Sequence, residues 1–211
     1  MVKKTRFGII DYGMGNLQSV ANAFRTLGCN PVLLSNASSE WDATDAIILP
    51  GVGAFGEAMR NLRKSHAADL MKNQVLEKKK PFLGICLGMH LIFEDSEEFG
   101  FHKGLGWLPG SVKKMASVPE LRLPHMGWNT VHFKNKSPLF KDIPDKNDFY
   151  FVHSYVVECE HNLVTSETTY GKRFPASIQS DHIFATQFHL EKSSKAGLHM
   201  LKNFIKYVNR C

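Results

Sequence analysis

A cysteine between two glycines is the strongest chemical signal in this sequence. Residues 82–85 are an apolar run typical of a buried strand, residues 87–93 resemble a helix, and Cys86 lies where the two meet. A chain that turns sharply from strand to helix strains its turn residue, and the flanking Gly84 and Gly88 remove side chains that would clash. The positive end of the helix would stabilise a thiolate and offer N–H groups to an oxyanion. The pattern indicates a cysteine nucleophile; the alternative is a structural cysteine with glycine neighbours.

A second glycine-rich run follows another predicted strand. Residues 46–49 are apolar, and residues 50–56 (PGVGAFG) contain three glycines. Taken alone, this run is typical of an ordinary turn. Beside a cysteine nucleophile it acquires a function, because acyl transfer needs a second oxyanion donor from a neighbouring loop at a strand end.

A cysteine nucleophile also needs a base, and that base needs a group that orients it. Among ten histidines, His189 is the best placed, because it follows a predicted strand and Glu191 lies two residues later. In an extended segment these two side chains point the same way. A solvated histidine near a charged loop is the alternative. His153 is the second candidate base but has no acid nearby, and no histidine pair has the spacing of a zinc site.

Composition limits the remaining function classes. The 211 residues are 43% hydrophobic and 22% charged, which is ordinary for a globular protein, and we expect one domain, residues 1–211. We expect no membrane span, signal peptide, metal or cofactor. The net charge of +6 comes with only short lysine runs and no nucleic-acid-binding module. Four scattered cysteines without a C-x-x-C pair favour a reducing cytoplasm.

The order of predicted elements favours an α/β fold. Strands are predicted at residues 7–10, 31–34 and 46–49, a helix runs from a cap at Asn16 to about Leu27, and one or two helices precede the cysteine strand. Such alternation is typical of a mostly parallel, doubly wound sheet. Further strands are predicted at 148–158, 164–170 and 184–187, and a last helix at 195–208, which Ser194 could cap.

Residues 95–133 interrupt this alternation. Glycines and prolines break the region into short pieces, so we expect loops and an antiparallel excursion. Within it, residues 124–129 (PHMGWN) place large side chains among turn formers. An exposed Met126 and Trp128 would suit a surface that binds a partner, whereas local packing is the alternative.

Three of these runs, residues 84–88, 50–53 and 187–191, together resemble the class I glutamine amidotransferases. More narrowly, residues 11–16, 50–56, 124–129, 151–155 and 192–193 are similar to the glutaminase subunits of imidazole glycerol phosphate synthases. The similarity covers nearly the whole chain in the same order. The run PHMGWN is the one that points to the histidine-pathway subunit.

The resemblance implies a class I amidotransferase fold, with a mostly parallel central sheet, flanking helices and an additional antiparallel portion. It implies that Cys86 attacks the side-chain amide of L-glutamine, with His189 as proton shuttle and Glu191 orienting it. The resemblance implies an oxyanion hole formed by Leu87, Val52 and Gly53. The implied substrate contacts are His90, Glu98, Ser154 and Tyr155. The implied partner interface consists of Asn16, Met126, Trp128, Tyr150 and Lys192.

The resemblance further implies a partner, a (βα)8-barrel cyclase subunit that receives ammonia and forms imidazole glycerol phosphate and an aminoimidazole carboxamide ribotide. Two positions depart from the family pattern: His90 replaces the usual glutamine, and Leu190 replaces the usual proline. An alternative is therefore a related subunit that supplies ammonia for amidino groups on surface-polysaccharide sugars. A cysteine protease and a catalytically silent binding subunit are the other classes, and the intact Cys86, His189 and Glu191 disfavour the latter.

Overall fold

The computed structural model describes residues 5–35, 39–116 and 121–210. The N-terminal residues 1–4, where a signal peptide was not expected, and Cys211, one of the four cysteines, lie outside the described part of the chain. The strands are β1 Phe7–Ile10, β2 Val32–Leu34, β3 Ala46–Gly51, β4 Phe82–Cys86, β5 Phe93–Ser96, β6 His102–Lys103, β7 Leu108–Lys114, β8 His125–Phe133, β9 Asn147–His153, β10 Tyr155–Cys159, β11 Val164–Tyr170, β12 Lys172–Ser180 and β13 Ile183–Thr186. The helices are α1 Leu17–Thr26, α2 Phe55–Lys64, α3 Ala67–Lys72, α4 Leu87–Leu91 and α5 Ser194–Val208, with a π-helical turn at Asn73–Glu77.

Nine strands form the central sheet, in the order β2-β1-β3-β4-β13-β12-β11-β8-β9. The pairs β2–β1, β1–β3, β3–β4 and β4–β13 are parallel, and the remaining pairs, from β13–β12 to β8–β9, are antiparallel. Because the carboxyl ends of the parallel strands share one edge, the loops that follow β1, β3, β4 and β13 lie together there. This edge is where the candidate catalytic residues were predicted.

A second, four-stranded sheet has the order β10-β7-β5-β6. It contains the predicted antiparallel excursion, although β5 and β7 pair in parallel. Only Ser154 separates β9, an edge strand of the large sheet, from β10, an edge strand of the small one. The two sheets therefore meet at a corner, and the candidate site lies in it.

Both faces of the parallel strands are buried, which accounts for their continuous apolar sequences. Alternate side chains enter two cores: Phe7 and Ile9 pack with α1 and α5, whereas Ile10 packs with α2 and α3. The Oδ1 atom of Asn16 caps α1 by accepting a hydrogen bond from the N–H of Ser19 at 3.2 Å, as predicted.

The structure corrects four details of the predicted elements. The helix after Cys86 ends at Leu91, and Phe93 already belongs to β5. Residues 125–133 belong to the region expected to hold loops and short antiparallel pieces, but they form one nine-residue strand, β8. Strand β12 was not predicted, and Ser193 occupies the N-cap position of α5 that Ser194 was expected to fill.

Candidate active site

Cys86 lies at a strained turn between β4 and α4. Its φ is 54° and its ψ is −108°, a backbone conformation that non-glycine residues rarely adopt. A Cβ atom on Gly84 would approach the carbonyl oxygen of Gly88 to 2.8 Å, and one on Gly88 would approach that of Leu49 to 1.8 Å. Both glycines are thus required by close backbone approach, which explains the pattern around the cysteine.

The Cys86 side chain opens onto a cavity of about 230 Å³. Its Sγ lies 3.9 Å from the Val152 carbonyl oxygen and 3.9 Å from the Gln187 side-chain nitrogen. The cavity brings together the candidate nucleophile, the glycine-rich loop and the predicted substrate contacts. Its lining is Val52, Gly53, Cys86, Leu87, His90, Glu98, Val152, His153, Ser154 and Tyr155.

His189, the candidate base, and Glu191, the acid expected to orient it, are in direct contact. The Nδ1 atom of His189 lies 2.7 Å from the Glu191 Oε1 atom, and the two side chains are only 3% and 2% exposed. Burial lowers the pKa of His189, but its interactions with Cys86 and Glu191 outweigh burial and raise that pKa to about 10. The His189 Nε2 atom is buried without a hydrogen-bond partner among the described residues. It is therefore the nitrogen free to exchange a proton with the thiol.

Strand β9 fixes the position of this pair. The His189 backbone N–H donates to the Tyr150 carbonyl at 2.9 Å, and the Tyr150 N–H donates to the Ser193 hydroxyl at 3.0 Å. The Ser193 hydroxyl also donates to the His189 carbonyl, and this bond closes the turn from His189 to Ser193. Leu190, at the position where the resemblance implies proline, is 1% exposed and part of the core. The turn thus forms without proline.

The glycine-rich loop lies next to Cys86 because Gly51 pairs with it in the β3–β4 register. The buried Tyr12 hydroxyl donates to the Pro50 carbonyl at 3.0 Å. Burial, followed by the proximity of Cys86, raises the pKa of Tyr12, so it remains a donor. A Cβ atom on Gly51 would lie 2.3 Å from this hydroxyl. Sequence reasoning missed Tyr12, since nothing local relates it to Pro50.

His90 is engaged with Gln187, a residue that sequence reasoning did not assign to the site. The His90 Nε2 atom lies 2.7 Å from the Gln187 Oε1 atom. That oxygen can only accept, so Nε2 carries the proton. Burial lowers the pKa of His90 to about 4 despite this hydrogen bond, so the ring is neutral at pH 7. The bond also turns the Gln187 amide nitrogen toward the thiol.

The other predicted substrate contacts line the cavity. The Glu98 Oε2 atom accepts a hydrogen bond from the Phe55 backbone N–H at 2.7 Å, which ties the small sheet to the start of α2. Burial raises the pKa of Glu98, and the Phe55 bond and nearby His102 oppose the rise. Ser154 and Tyr155 belong to the corner between the two sheets.

Four of the five predicted interface residues form one surface cluster. Trp128 pairs with Tyr150 across β8 and β9, their ring centroids lie 6.1 Å apart, and the Lys192 ammonium lies 5.6 Å from the Tyr150 ring centroid. Met126 and Trp128 are 62% and 54% exposed. Asn16 is exposed in the loop after β1, where its side chain caps α1.

The described residues form neither a metal-binding cluster nor a membrane-spanning helix. In residues 5–35, 39–116 and 121–210, no three metal-binding side chains cluster as a metal site would require. Over the same ranges, no helix is long and apolar enough to cross a membrane.

Comparisons with known proteins identify the family of the chain. The chain matches the family "Glutamine amidotransferase class-I" over residues 8–208. It is 48% identical over 198 residues to "Imidazole glycerol phosphate synthase subunit HisH 1" of Campylobacter jejuni strain RM1221, covering 94% of this chain and 98% of that protein. It is 47% identical over 203 residues to the subunit HisH of Methanocaldococcus jannaschii, covering 95% and 99%.

A solved glutamine amidotransferase structure superimposes with a TM-score of 0.73 at 15% identity, covering 97% of this chain and 99% of that one. This likeness confirms the predicted α/β fold. Together with the family match over residues 8–208 and relatives of nearly full length, it leads to one conclusion: the chain belongs to the class I glutamine amidotransferases.

Proposed function

We propose that this chain is the glutaminase subunit of an imidazole glycerol phosphate synthase, acting in histidine biosynthesis. It releases ammonia from L-glutamine and passes it to a cyclase subunit. One observation carries the chemistry: Cys86 opens onto a small cavity beside the buried His189–Glu191 pair. The pathway is supported by relatives of nearly full length named subunit HisH of that synthase.

In the proposed reaction, the Cys86 thiolate attacks the side-chain carbonyl carbon of glutamine. The backbone N–H groups of Leu87 and of the loop at Val52 and Gly53 stabilise the tetrahedral oxyanion. The His189 imidazolium donates its Nε2 proton to the leaving nitrogen, ammonia departs and a thioester remains. His189 then takes a proton from water, which attacks the thioester and releases glutamate. Glu191 holds the His189 ring and stabilises its positive charge.

The cavity suits a small substrate. Its volume of about 230 Å³ is below the ~300–1,000 Å³ typical of larger ligands. Glu98 offers a carboxylate to the α-amino group of glutamine, and the corner at Ser154 and Tyr155 offers backbone groups. His90 contributes through Gln187, because its Nε2 atom is already engaged.

We further propose that Met126, Trp128, Tyr150 and Lys192 form the docking surface for a (βα)8-barrel cyclase, with Asn16 at its margin. Large exposed aromatic and methionine side chains are enriched at the centres of interfaces. Docking there has a chemical purpose, because ammonia released into neutral water is mostly protonated and no longer nucleophilic. We place the reaction in the cytoplasm, where thiols such as Cys86 remain reduced.

The alternative, ammonia supply for sugar amidation, is not favoured by the relatives' names. The test mixes this chain with a histidine-pathway cyclase and its ribulosyl nucleotide substrate, and measures imidazole glycerol phosphate formed from glutamine. We expect product with glutamine, and much slower glutamine hydrolysis by the chain alone. A chain that hydrolyses glutamine but neither binds nor supplies the cyclase would exclude the histidine pathway.

A further inference from the structure

Two buried histidines outside the proposed triad lie side by side at the corner where the two sheets meet. His125 begins β8 and His153 ends β9, and they face each other in the antiparallel register. They are 2% and 7% exposed. After His153 the chain passes through Ser154 into β10 of the small sheet. The pair therefore occupies the joint between the sheets.

The hydrogen bonds of this pair determine which ring nitrogen of each histidine carries the proton. The Tyr155 carbonyl can only accept, so the His153 Nδ1 atom, 2.9 Å away, is the donor. In a neutral ring, the His153 Nε2 atom is then an acceptor, and it receives the Nδ1–H of His125 at 2.9 Å. The His125 Nε2 atom in turn accepts from the Asn129 amide nitrogen at 3.1 Å. One chain of bonds thus runs from β8 across β9 to β10.

The surroundings keep both rings neutral and in place. The His125 ring stacks between Tyr170 and Phe151, with centroids 4.2 and 4.9 Å away, and Phe174 lies 5.2 Å from His153. Burial lowers the pKa of His125 to about 4 and that of His153 well below its usual range. The neighbouring His125, His90 and His189 lower the pKa of His153 further, while its bond to the Tyr155 carbonyl opposes the shift.

We propose that His125 and His153 are positioning residues for glutamine binding. Residues 152–155, the segment that contains His153, form one wall of the cavity, and the Val152 carbonyl contacts the Cys86 thiol. The bond from His153 to the Tyr155 carbonyl spans the corner, and the bond from His125 holds His153 in the tautomer that makes it possible. The pair thereby fixes the distance between the substrate wall and the nucleophile. This inference rests on the proposed glutaminase function.

Nitrogen-15 NMR of the histidine-labelled chain tests the pair without any reaction. We expect both residues to show the Nδ1–H tautomer and to remain neutral from pH 7 down to about 5. An Nε2–H tautomer for either residue, or protonation with a midpoint near 6.5, would overturn the proposed bond pattern.

Kinetics test the positioning role. His125→Phe preserves a stacked ring but leaves the His153 Nε2 atom without a donor; His132→Phe, on the exposed part of β8, is the matched control. In the complex with cyclase, we expect His125→Phe to raise the KM for glutamine about tenfold, the effect of one buried hydrogen bond. Alkylation of Cys86 by iodoacetamide should stay within about twofold of wild type, since the rest of its environment is kept.

An unchanged KM in His125→Phe, or a loss confined to kcat, would refute the positioning role. Should the variant not fold, the NMR measurement on the wild-type chain still decides whether the bond pattern exists. A wild-type complex that cannot hydrolyse glutamine would refute the proposed function instead, and the tautomers would remain a separate test of the pair.

Discussion

Replacing Glu191 by glutamine removes the charge beside His189 while nearly preserving side-chain shape. The two atoms concerned lie 2.7 Å apart, and both side chains are at most 3% exposed, so water cannot substitute for the lost partner. A hydrogen bond involving a charged group contributes about 1.5–3 kcal/mol, and about 1.4 kcal/mol corresponds to a tenfold change in rate. We therefore expect kcat to fall at least about 10- to 100-fold.

A second effect sets the upper limit of the loss. If the glutamine amide nitrogen faces the His189 Nδ1 atom, the ring must place its proton on Nε2 and cannot accept the thiol proton. The corresponding carboxylate-to-amide change in a serine triad lowers kcat about 10⁴-fold. The KM should change little, because Glu191 does not line the cavity.

The assay is steady-state glutamate formation by the complex with cyclase, and Glu158→Gln, an exposed carboxylate on β10, is the control. A parallel measurement is alkylation of Cys86 by iodoacetamide at pH 6. The variant should react more slowly, since Glu191 no longer helps His189 to stay protonated beside the thiolate. If Glu191→Gln kept more than half of the wild-type kcat, the assigned role of the His189–Glu191 pair would be wrong.

Three further predictions follow from the site and its surroundings. Because the pKa of His90 is about 4, the KM for glutamine should show no His90 titration between pH 7.5 and 5.5. The His90→Gln variant can still donate to Gln187 and should keep most of its kcat. The kcat of His90→Leu should fall about tenfold, the effect of one lost buried hydrogen bond. The Trp128→Ala variant should bind the cyclase more weakly, as measured by calorimetry, or release ammonia to solution, as measured by a coupled assay. Unaltered binding and unaltered ammonia transfer would exclude Trp128 from the interface. The free energy of unfolding, measured in urea, should fall as the pH drops from 6.5 toward 4. The reason is that His90 and His125 become protonated at about pH 6.5 in the unfolded chain but only near pH 4 in the folded chain. The two histidines together give a slope approaching about 2.7 kcal/mol per pH unit. The folded-state pKa of His189 is raised instead, so its contribution to stability is complete below pH 6.5 and disappears as the pH rises through about 10. A free energy of unfolding that stays constant from pH 6.5 to 4 would contradict the lowered pKa values of His90 and His125.

The arrangement of the proposed catalytic residues could be predicted because their geometry is local. The glycines around Cys86 and the two-residue spacing of His189 and Glu191 each describe one turn of chain, and a sequence displays such turns directly. The parallel order of the strands then brings the two turns to one edge. The positions of the loops after β3, β4 and β13 follow from that topology alone.

Contacts between distant residues were not predictable in the same way. His90 and Gln187 are 97 positions apart, and His125 and His153 are 28 apart, so no spacing rule relates them. Strand β8 was missed for a related reason: its turn-forming residues disfavour a strand locally, and the backbone hydrogen bonds of β9 and β11 supply the stability. Strand β12 carries Pro175 and a charged start, which also hide it from a local pattern.

Replacing Cys86 by alanine tests the central claim most directly. In the complex with cyclase, synthesis of imidazole glycerol phosphate should be measured with glutamine and, separately, with a high concentration of ammonium salt. The proposed chemistry predicts that Cys86→Ala abolishes the glutamine-dependent rate and leaves the ammonia-dependent rate at the wild-type level, because the thiol touches only the glutamine side of the reaction. Equal loss of both rates, or glutamine-dependent synthesis that persists without the thiol, would contradict it.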